Sequence, residues 1–133
     1  MLARSGTYRG DVMAYLLVAL GGALGSVARY WATLAVTAAL GPRYPWATLG
    51  INVLGSFVIA LTAALGTGRL PLSAETRLFI MVGICGGFTT FSSFSLQSLQ
   101  LLQDGEFPAA LAYMLGSVLL CVLASWAGMA LGR

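Results

Sequence analysis

The sequence has few charges and no histidine, and these shortages argue against several classes of protein. Of its 133 residues, 8% are charged and 59% are hydrophobic, a composition typical of bilayer proteins and not of soluble domains. Its four acidic residues all lie at or beyond the ends of long apolar segments: Asp11, Glu75, Asp104 and Glu106. Proton-coupled transporters usually need a carboxylate inside a span, and cation pores often use rings of acids. The sequence supports neither class.

Cysteines are also scarce, and catalytic constellations are not visible. Cys85 and Cys121 both fall inside apolar segments, where a disulfide is not expected, and their spacing matches no metal motif. No nucleophile lies near a base, and no carboxylates converge. We therefore predict that the protein is not an enzyme and that nucleic acid is not among its partners.

Four charge-poor segments fill almost the whole chain and predict an all-α membrane protein. A helix of ~20 apolar residues crosses a bilayer. The predicted spans, within a single integral membrane domain of residues 1–133, cover about residues 12–40, 45–66, 78–103 and 107–131. Pro45 suits the start of the second helix, where its missing N–H is no loss. Ser73 is a candidate N-cap before the third.

The first span contains glycines and one charge. Gly21, Gly22 and Gly25 form a small-residue face that favours close helix packing. Arg29 is unusual, because a charge at the centre of a span costs about 2.5–3.5 kcal/mol. Tyr30 follows it, so two interpretations stay open: Arg29 anchors the helix at the interface, or it lies in a vestibule that attracts anions.

The third segment combines the hydropathy of a span with a centre that does not suit a helix. The stretch 83–95 reads GICGGFTTFSSFS, and its glycines loosen the backbone before a run of hydroxyl residues. A helix breaks inside a membrane only where its freed backbone groups are buried in protein or face a polar cavity. We predict a helix broken at mid-membrane that lines a polar space. If the helix resumes near Thr90, then Phe91, Phe94 and Ser95 share one side.

Polar side chains recur along the second and fourth spans. Thr48, Asn52 and Ser56 step by four along one face. An amide at membrane depth needs partners, so Asn52 either bonds to a neighbouring helix or points its NH₂ into a pore. The same step of four occurs in the fourth span, at Tyr113, Ser117, Cys121 and Ser125. The side chains of this face are either packing contacts or part of a polar track. Hydroxyls and amides donate to anions, and the edges of aromatic rings are partly positive. This chemistry suits a small, strongly hydrated anion.

These residues resemble the Fluc/CrcB family of fluoride channels over nearly the whole chain. The resemblance is carried by GGALGSVARY (21–30), PWATLGINVLGSF (45–57) and, most specifically, GGFTTFSSFS (86–95). It implies a fluoride-selective channel in the prokaryotic cell membrane, which exports fluoride and lowers its cytoplasmic concentration. It also implies an antiparallel, dual-topology homodimer with two fluoride pathways, surrounded by membrane lipid.

The resemblance assigns roles to individual residues. The fluoride pathway would include Asn52, Phe91, Phe94, Thr48, Ser95, Tyr113 and Ser117. A structural sodium ion (Na+) at the dimer axis would be held by the backbone carbonyls of Gly86 and Thr89 from each subunit. Carbonyl oxygens suit a hard cation. The chain departs from the family at three positions, with Ala47 in place of glycine, Gln97 in place of a frequent glutamate and Cys121 in place of a common serine.

The arginines predict a different topology from the family. With four spans the two termini share a side, which holds Arg4, Arg9, Arg69, Arg77 and Arg133, whereas the other side holds Arg43. This bias predicts one orientation with cytoplasmic termini, and Arg29 reduces it without removing it. We follow the family for the dimer. The alternative functions are a small multidrug-resistance-type antiporter, which the absence of a glutamate in the first span disfavours, and a non-transporting subunit of a membrane assembly.

Overall fold

The computed structural model describes residues 5–68 and 71–133, and every regular element in that part of the chain is helical. Helix α1 covers Ser5–Leu40 and α2 covers Trp46–Thr67. Helix α3 spans residues 74–88, α4 covers Phe91–Gln103 and α5 covers Phe107–Gly132. Four stretches are long and apolar enough to cross a membrane: Val12–Leu40, Trp46–Thr67, Ala74–Gln103 and Phe107–Gly132.

The ends of these helices follow the local sequence chemistry. Ser73 caps α3 as predicted, since its Oγ accepts the Thr76 N–H at 3.1 Å. Helix α2 begins directly after Pro45. The turns that follow α1 and α4 contain Gly41 and Gly105, with φ of 80° and 77°, a left-handed backbone that glycine adopts without steric cost. Helix α1 begins at Ser5, ahead of the predicted start of its apolar segment at Val12. Arg4 and Arg69, used in the charge count, lie outside the described residues.

Helix α3 is not a regular α-helix. After one α-turn, Ala74–Arg77, the stretch Leu78–Cys85 is a π-helix, and a last turn, Gly86–Phe88, follows. π-Helical stretches are rare and frequently lie at functional sites. The sequence predicted a break after this segment, but it gave no sign of the wider π turns before the break.

Glycines let the backbones of α1 and α3 meet directly. A Cβ on Gly21 would lie 2.7 Å from the carbonyl oxygen of Phe79, and one on Gly25 would collide with the carbonyl oxygen of Ile84. By contrast, a Cβ on Gly22 would meet nothing within 4 Å. The predicted packing role of this glycine face is therefore confirmed for Gly21 and Gly25. This contact fixes α3 against α1 just ahead of the break.

Helices α2 and α5 form the other closely packed pair. Gly128 of α5 lies against the backbone of α2, so that a Cβ there would meet the carbonyl of Phe57 and the N–H of Leu61. Ser125 donates to the carbonyl oxygen of Ser56 at 3.2 Å. This bond is a packing contact between helices, one of the two interpretations of Ser125 that the sequence left open. The break lies where these two pairs meet, and α4 packs against α5 and, less extensively, against α2.

Candidate functional site: the break between α3 and α4

Two extended residues interrupt the third span. Thr89 has φ −80° and ψ 158°, and Thr90 has φ −153° and ψ 110°. The Thr89 N–H and its hydroxyl both donate to the carbonyl of Cys85, at 2.9 and 2.8 Å, which closes α3. The hydroxyl of Thr90 accepts the Ser93 N–H at 3.2 Å and so caps α4. Each threonine thus terminates one of the two half-helices.

Asn52 of α2 completes the break from the side. Its Oδ1 accepts the Thr90 N–H at 2.8 Å, and its Nδ2 donates to the Thr90 carbonyl at 3.1 Å. Gly55 lets α2 come this near, since a Cβ there would collide with the methyl group of Thr89. The amide therefore makes the inter-helix bonds that were one of its two predicted roles. One N–H of the Asn52 NH₂ group is not used by the Thr90 carbonyl, and its role toward an ion stays a prediction.

Arg29 reaches the break from α1. In a continuous helix the Phe91 N–H would donate to the carbonyl of Gly87. Here the Nε of Arg29 donates to that carbonyl at 3.1 Å. A guanidinium has five N–H donors, so this bond leaves its Nη groups for other partners. Arg29 thus contacts the backbone beside the break, and its two suggested roles, as an interfacial anchor or in a vestibule that attracts anions, stay predictions.

The two carbonyls predicted to bind sodium have both lost their usual helical donors. The Thr90 N–H, which would bond to Gly86 O in a continuous helix, goes to Asn52. The Ser93 N–H, which would bond to Thr89 O, goes to the hydroxyl of Thr90. Gly86 is exposed and Thr89 is partly buried. These residues fit a hard cation, because free carbonyl oxygens are its preferred ligands. The binding itself stays a prediction.

A groove of about 490 Å³ opens beside the break. It brings together six of the predicted site residues: Asn52, Gly86, Thr89, Phe91, Phe94 and Ser117. Ser117 is 5% exposed, and its hydroxyl has no hydrogen-bond partner among the described residues. A buried hydroxyl without a partner is unusual, and this one belongs to a residue that lines the groove. Cys121 lines the groove as well, one turn further along α5.

Three other predicted residues do not line this groove. Thr48 and Tyr113 are buried, with 5% and 1% exposure. Ser95 is exposed, and its hydroxyl donates to the Phe91 carbonyl of its own helix at 2.9 Å. Tyr113 is nevertheless connected to the groove, because its ring lies 5.2 Å from that of Phe94.

Aromatic rings form a continuous series from the groove to the loop between α1 and α2. The ring centroids of Phe91 and Phe94 are 5.4 Å apart, and Tyr113 follows Phe94. Tyr44 then meets Tyr113 edge-on at 5.8 Å, and Trp46 lies 4.5 Å from Tyr44. Such spacings are those of favourable aromatic pairs. Sequence reasoning missed Tyr44, because a tyrosine in a short loop gives no sign of a contact so distant along the chain.

Gln97 joins this series by a hydrogen bond. The hydroxyl of Tyr113 donates to its Oε1 at 3.0 Å. In the sequence, Gln97 stands out only as a departure from the family pattern. Its bond to Tyr113 places an uncharged amide where a glutamate would add a negative charge.

Sequence comparison relates this chain to a known protein family. The model of the family described as CrcB-like protein, Camphor Resistance (CrcB), matches residues 16–129. Three bacterial relatives carry the name fluoride-specific ion channel FluC. The protein from Paramagnetospirillum magneticum is 54% identical over 119 residues, with 88% of this chain and 93% of the relative covered. Those from Thermus thermophilus and Magnetococcus marinus are 53% and 52% identical, covering 89% and 87% of this chain and 92% and 94% of the relatives. The extent of both matches shows that this chain belongs to the CrcB-like family.

Proposed function

We propose that this protein is a fluoride-selective ion channel that lets fluoride leave the cytoplasm and so lowers its concentration there. The observation that carries the proposal is identity of about one half, over almost the full length, to relatives named as fluoride-specific channels. With its four long apolar helices and its bacterial relatives, the chain is a multi-pass protein of the prokaryotic inner membrane. As an ion channel it would move an ion and would not be an enzyme.

The chemistry of the groove supports an anion as the transported species. Its polar side chains are hydroxyls, two thiols and an amide, and no carboxylate is among its described lining residues. Phe91 and Phe94 offer ring edges, whose partial positive charge attracts anions. The unpartnered hydroxyl of Ser117 and the remaining N–H of Asn52 supply donors. Fluoride, which is small and strongly hydrated, gains most from such donors when it loses water.

The exposed surface of the protomer supports a dimer. Phe91 is 77% exposed and adjoins exposed polar groups, Ser92 and Ser95, at the level of the break. The Gly86 carbonyl, without its helical donor, lies on the same exposed stretch. Unsatisfied backbone groups cost several kcal/mol each in hydrocarbon, so a second copy of this chain is the proposed cover. We propose the antiparallel arrangement that the family resemblance implies, against the bias of the arginines.

A sodium ion is the proposed occupant of the axis. The Gly86 and Thr89 carbonyls of both copies would hold it, four oxygens in all. A bound cation supplies positive charge that offsets the cost of anions nearby. Since these ligands are neutral, a monovalent ion suits the site better than a divalent one. The residues of this chain would position the oxygens, through the bonds of Asn52 and Thr90 that divert the usual helical donors.

Ion efflux from liposomes that contain only this protein tests the function. We expect rapid loss of fluoride and negligible loss of chloride, with protein-free liposomes as the control. Proton-driven exchange of an organic cation, without fluoride efflux, would instead identify an antiporter. Correctly folded protein that moves neither ion would indicate a non-transporting subunit and would reject the proposal.

A further inference from the structure

A second cavity lies at the loop end of the protomer, apart from the groove. It encloses about 460 Å³ between the end of α1, the loop that follows it and the last turns of α4. We name it the outer cavity. Its polar lining includes Thr33, Thr37, Arg43, Tyr44, Gln97 and Asp104. Both neighbouring connections, residues 41–45 and 104–106, lie at this end, so the cavity faces the aqueous side of the bundle.

The outer cavity adjoins the loop end of the aromatic series. Gln97 lines the cavity and also accepts the hydrogen bond of Tyr113. Tyr113 packs on Phe94, which lines the groove. Tyr44 lines the cavity and meets Tyr113 edge-on. The two cavities are therefore separated by a layer of one glutamine and two tyrosines, and an ion that approaches the groove from this end first meets the outer cavity.

The charges of the outer cavity have opposite effects on an anion. Arg43 supplies a positive charge, and Asp104 supplies a negative one. The Nη2 of Arg43 lies 3.7 Å from Oε1 of Glu106, with 93% and 51% of the two side chains exposed. Exposed ion pairs of this kind are weak and sensitive to salt, so the pair does not neutralise Arg43 firmly. The hydroxyl of Tyr44 is neutral near pH 7, as in any tyrosine, and so is able to donate.

We propose that the outer cavity is a capture site for fluoride, in which Arg43 sets the rate of entry while Glu106 and Asp104 restrain it. This inference rests on the proposed channel function. Arg43 raises the local anion concentration through its field, and Glu106 competes with the anion for the same guanidinium. One charge that acts across the width of the outer cavity changes the local concentration of a monovalent ion about two- to threefold in dilute salt. At high ionic strength the field is screened within about 3 Å, and its effect disappears.

The test is the initial rate of fluoride efflux from liposomes at low and at high ionic strength. In about 10 mM salt we expect Arg43→Gln to lower the rate about two- to threefold, and Glu106→Gln and Asp104→Asn to raise it by a similar factor. In about 1 M salt all three variants should match the wild type. Arg133→Gln, which makes the same change of charge beyond the far end of α5, is the matched control and should match the wild type in both salts.

Three results would overturn this proposal and leave the channel function intact. Unchanged efflux of Arg43→Gln in dilute salt, with a conducting wild type, would show that Arg43 does not attract the ion. An equal loss at both ionic strengths would show a structural role instead. An effect of Arg133→Gln as large as that of Arg43→Gln would assign the change to net charge and not to the outer cavity. A wild-type protein without fluoride flux would reject the channel function itself, and this inference with it.

Discussion

The side chain of Asn52 bonds to both backbone groups of Thr90, accepting its N–H at 2.8 Å and donating to its carbonyl at 3.1 Å. One amide thus replaces, for one residue, the backbone pairing that a continuous helix would supply. An aspartate at this position could still accept the N–H, but its carboxylate would face the Thr90 carbonyl without a proton to donate. Leaving a buried polar group unpaired costs about 1–3 kcal/mol.

For Asn52 we therefore predict that Asn52→Asp and Asn52→Ala both lose most of their fluoride flux. If support of the break dominates, the two variants should be similarly impaired, with the free energy of unfolding in detergent lowered by about 1–3 kcal/mol. If the amide acts mainly as a donor to the ion, Asn52→Asp should be far worse, because its charge repels anions. Normal conduction by Asn52→Asp would show that the residue is remote from the ion.

The phenylalanine rings provide the second prediction. Phe91→Ile and Phe94→Ile should each fold and dimerise but lose about tenfold or more of the fluoride flux, which corresponds to ~1.4 kcal/mol of barrier. The reason is that isoleucine keeps the apolar volume and removes the positive ring edge. Leu96→Ile, at an exposed position on the same helix, is the matched control. Wild-type flux in both phenylalanine variants would leave them a packing role only.

Two neighbouring glycines of α1 give a test of the packing around the π-helix. Gly25→Ala places a methyl group against the carbonyl of Ile84, whereas Gly22→Ala meets nothing within 4 Å. We expect Gly25→Ala to lower the free energy of unfolding by about 1–3 kcal/mol, as overpacking does, and to reduce flux. Gly22→Ala should remain close to the wild type. Thermal unfolding and efflux of the two purified variants measure the difference, and equal stability of the pair would contradict the close contact.

The proposed sodium site provides the fourth prediction. Exchange of sodium for a large organic cation on both sides of the membrane should cause slow loss of flux or of dimer, as the trapped ion leaves. The loss should be slow because the ion is proposed to lie between the pathways and outside both of them. Size-exclusion chromatography and efflux at increasing times measure it, with a parallel sample kept in sodium. Flux and dimer that persist indefinitely without sodium would argue that the Gly86 and Thr89 carbonyls are satisfied in another way.

Composition and local pattern were enough to predict the four helices and the place where the third is interrupted. Apolar segments of bilayer length have few alternatives to a helix, because their backbone groups must bond within the segment. The caps at Ser73 and Thr90 are local as well, since a side-chain oxygen bonds to an N–H three residues later. The small-residue face of α1 was also readable, although the sequence did not distinguish Gly25, where an added side chain would collide with α3, from Gly22, where it would meet nothing within 4 Å.

Partners distant along the chain were decided by the tertiary structure alone. Nothing in the sequence pairs Arg29 with the carbonyl of Gly87, or Tyr44 with Tyr113. These contacts depend on how α1, α2 and α5 pack around the break, and packing fixes distances that a linear pattern does not contain. The π-helix also depends on tertiary packing, because its wider turns form where the backbone of α1 lies against α3. The sequence thus determined which groups need partners, and the fold determined which partners they have.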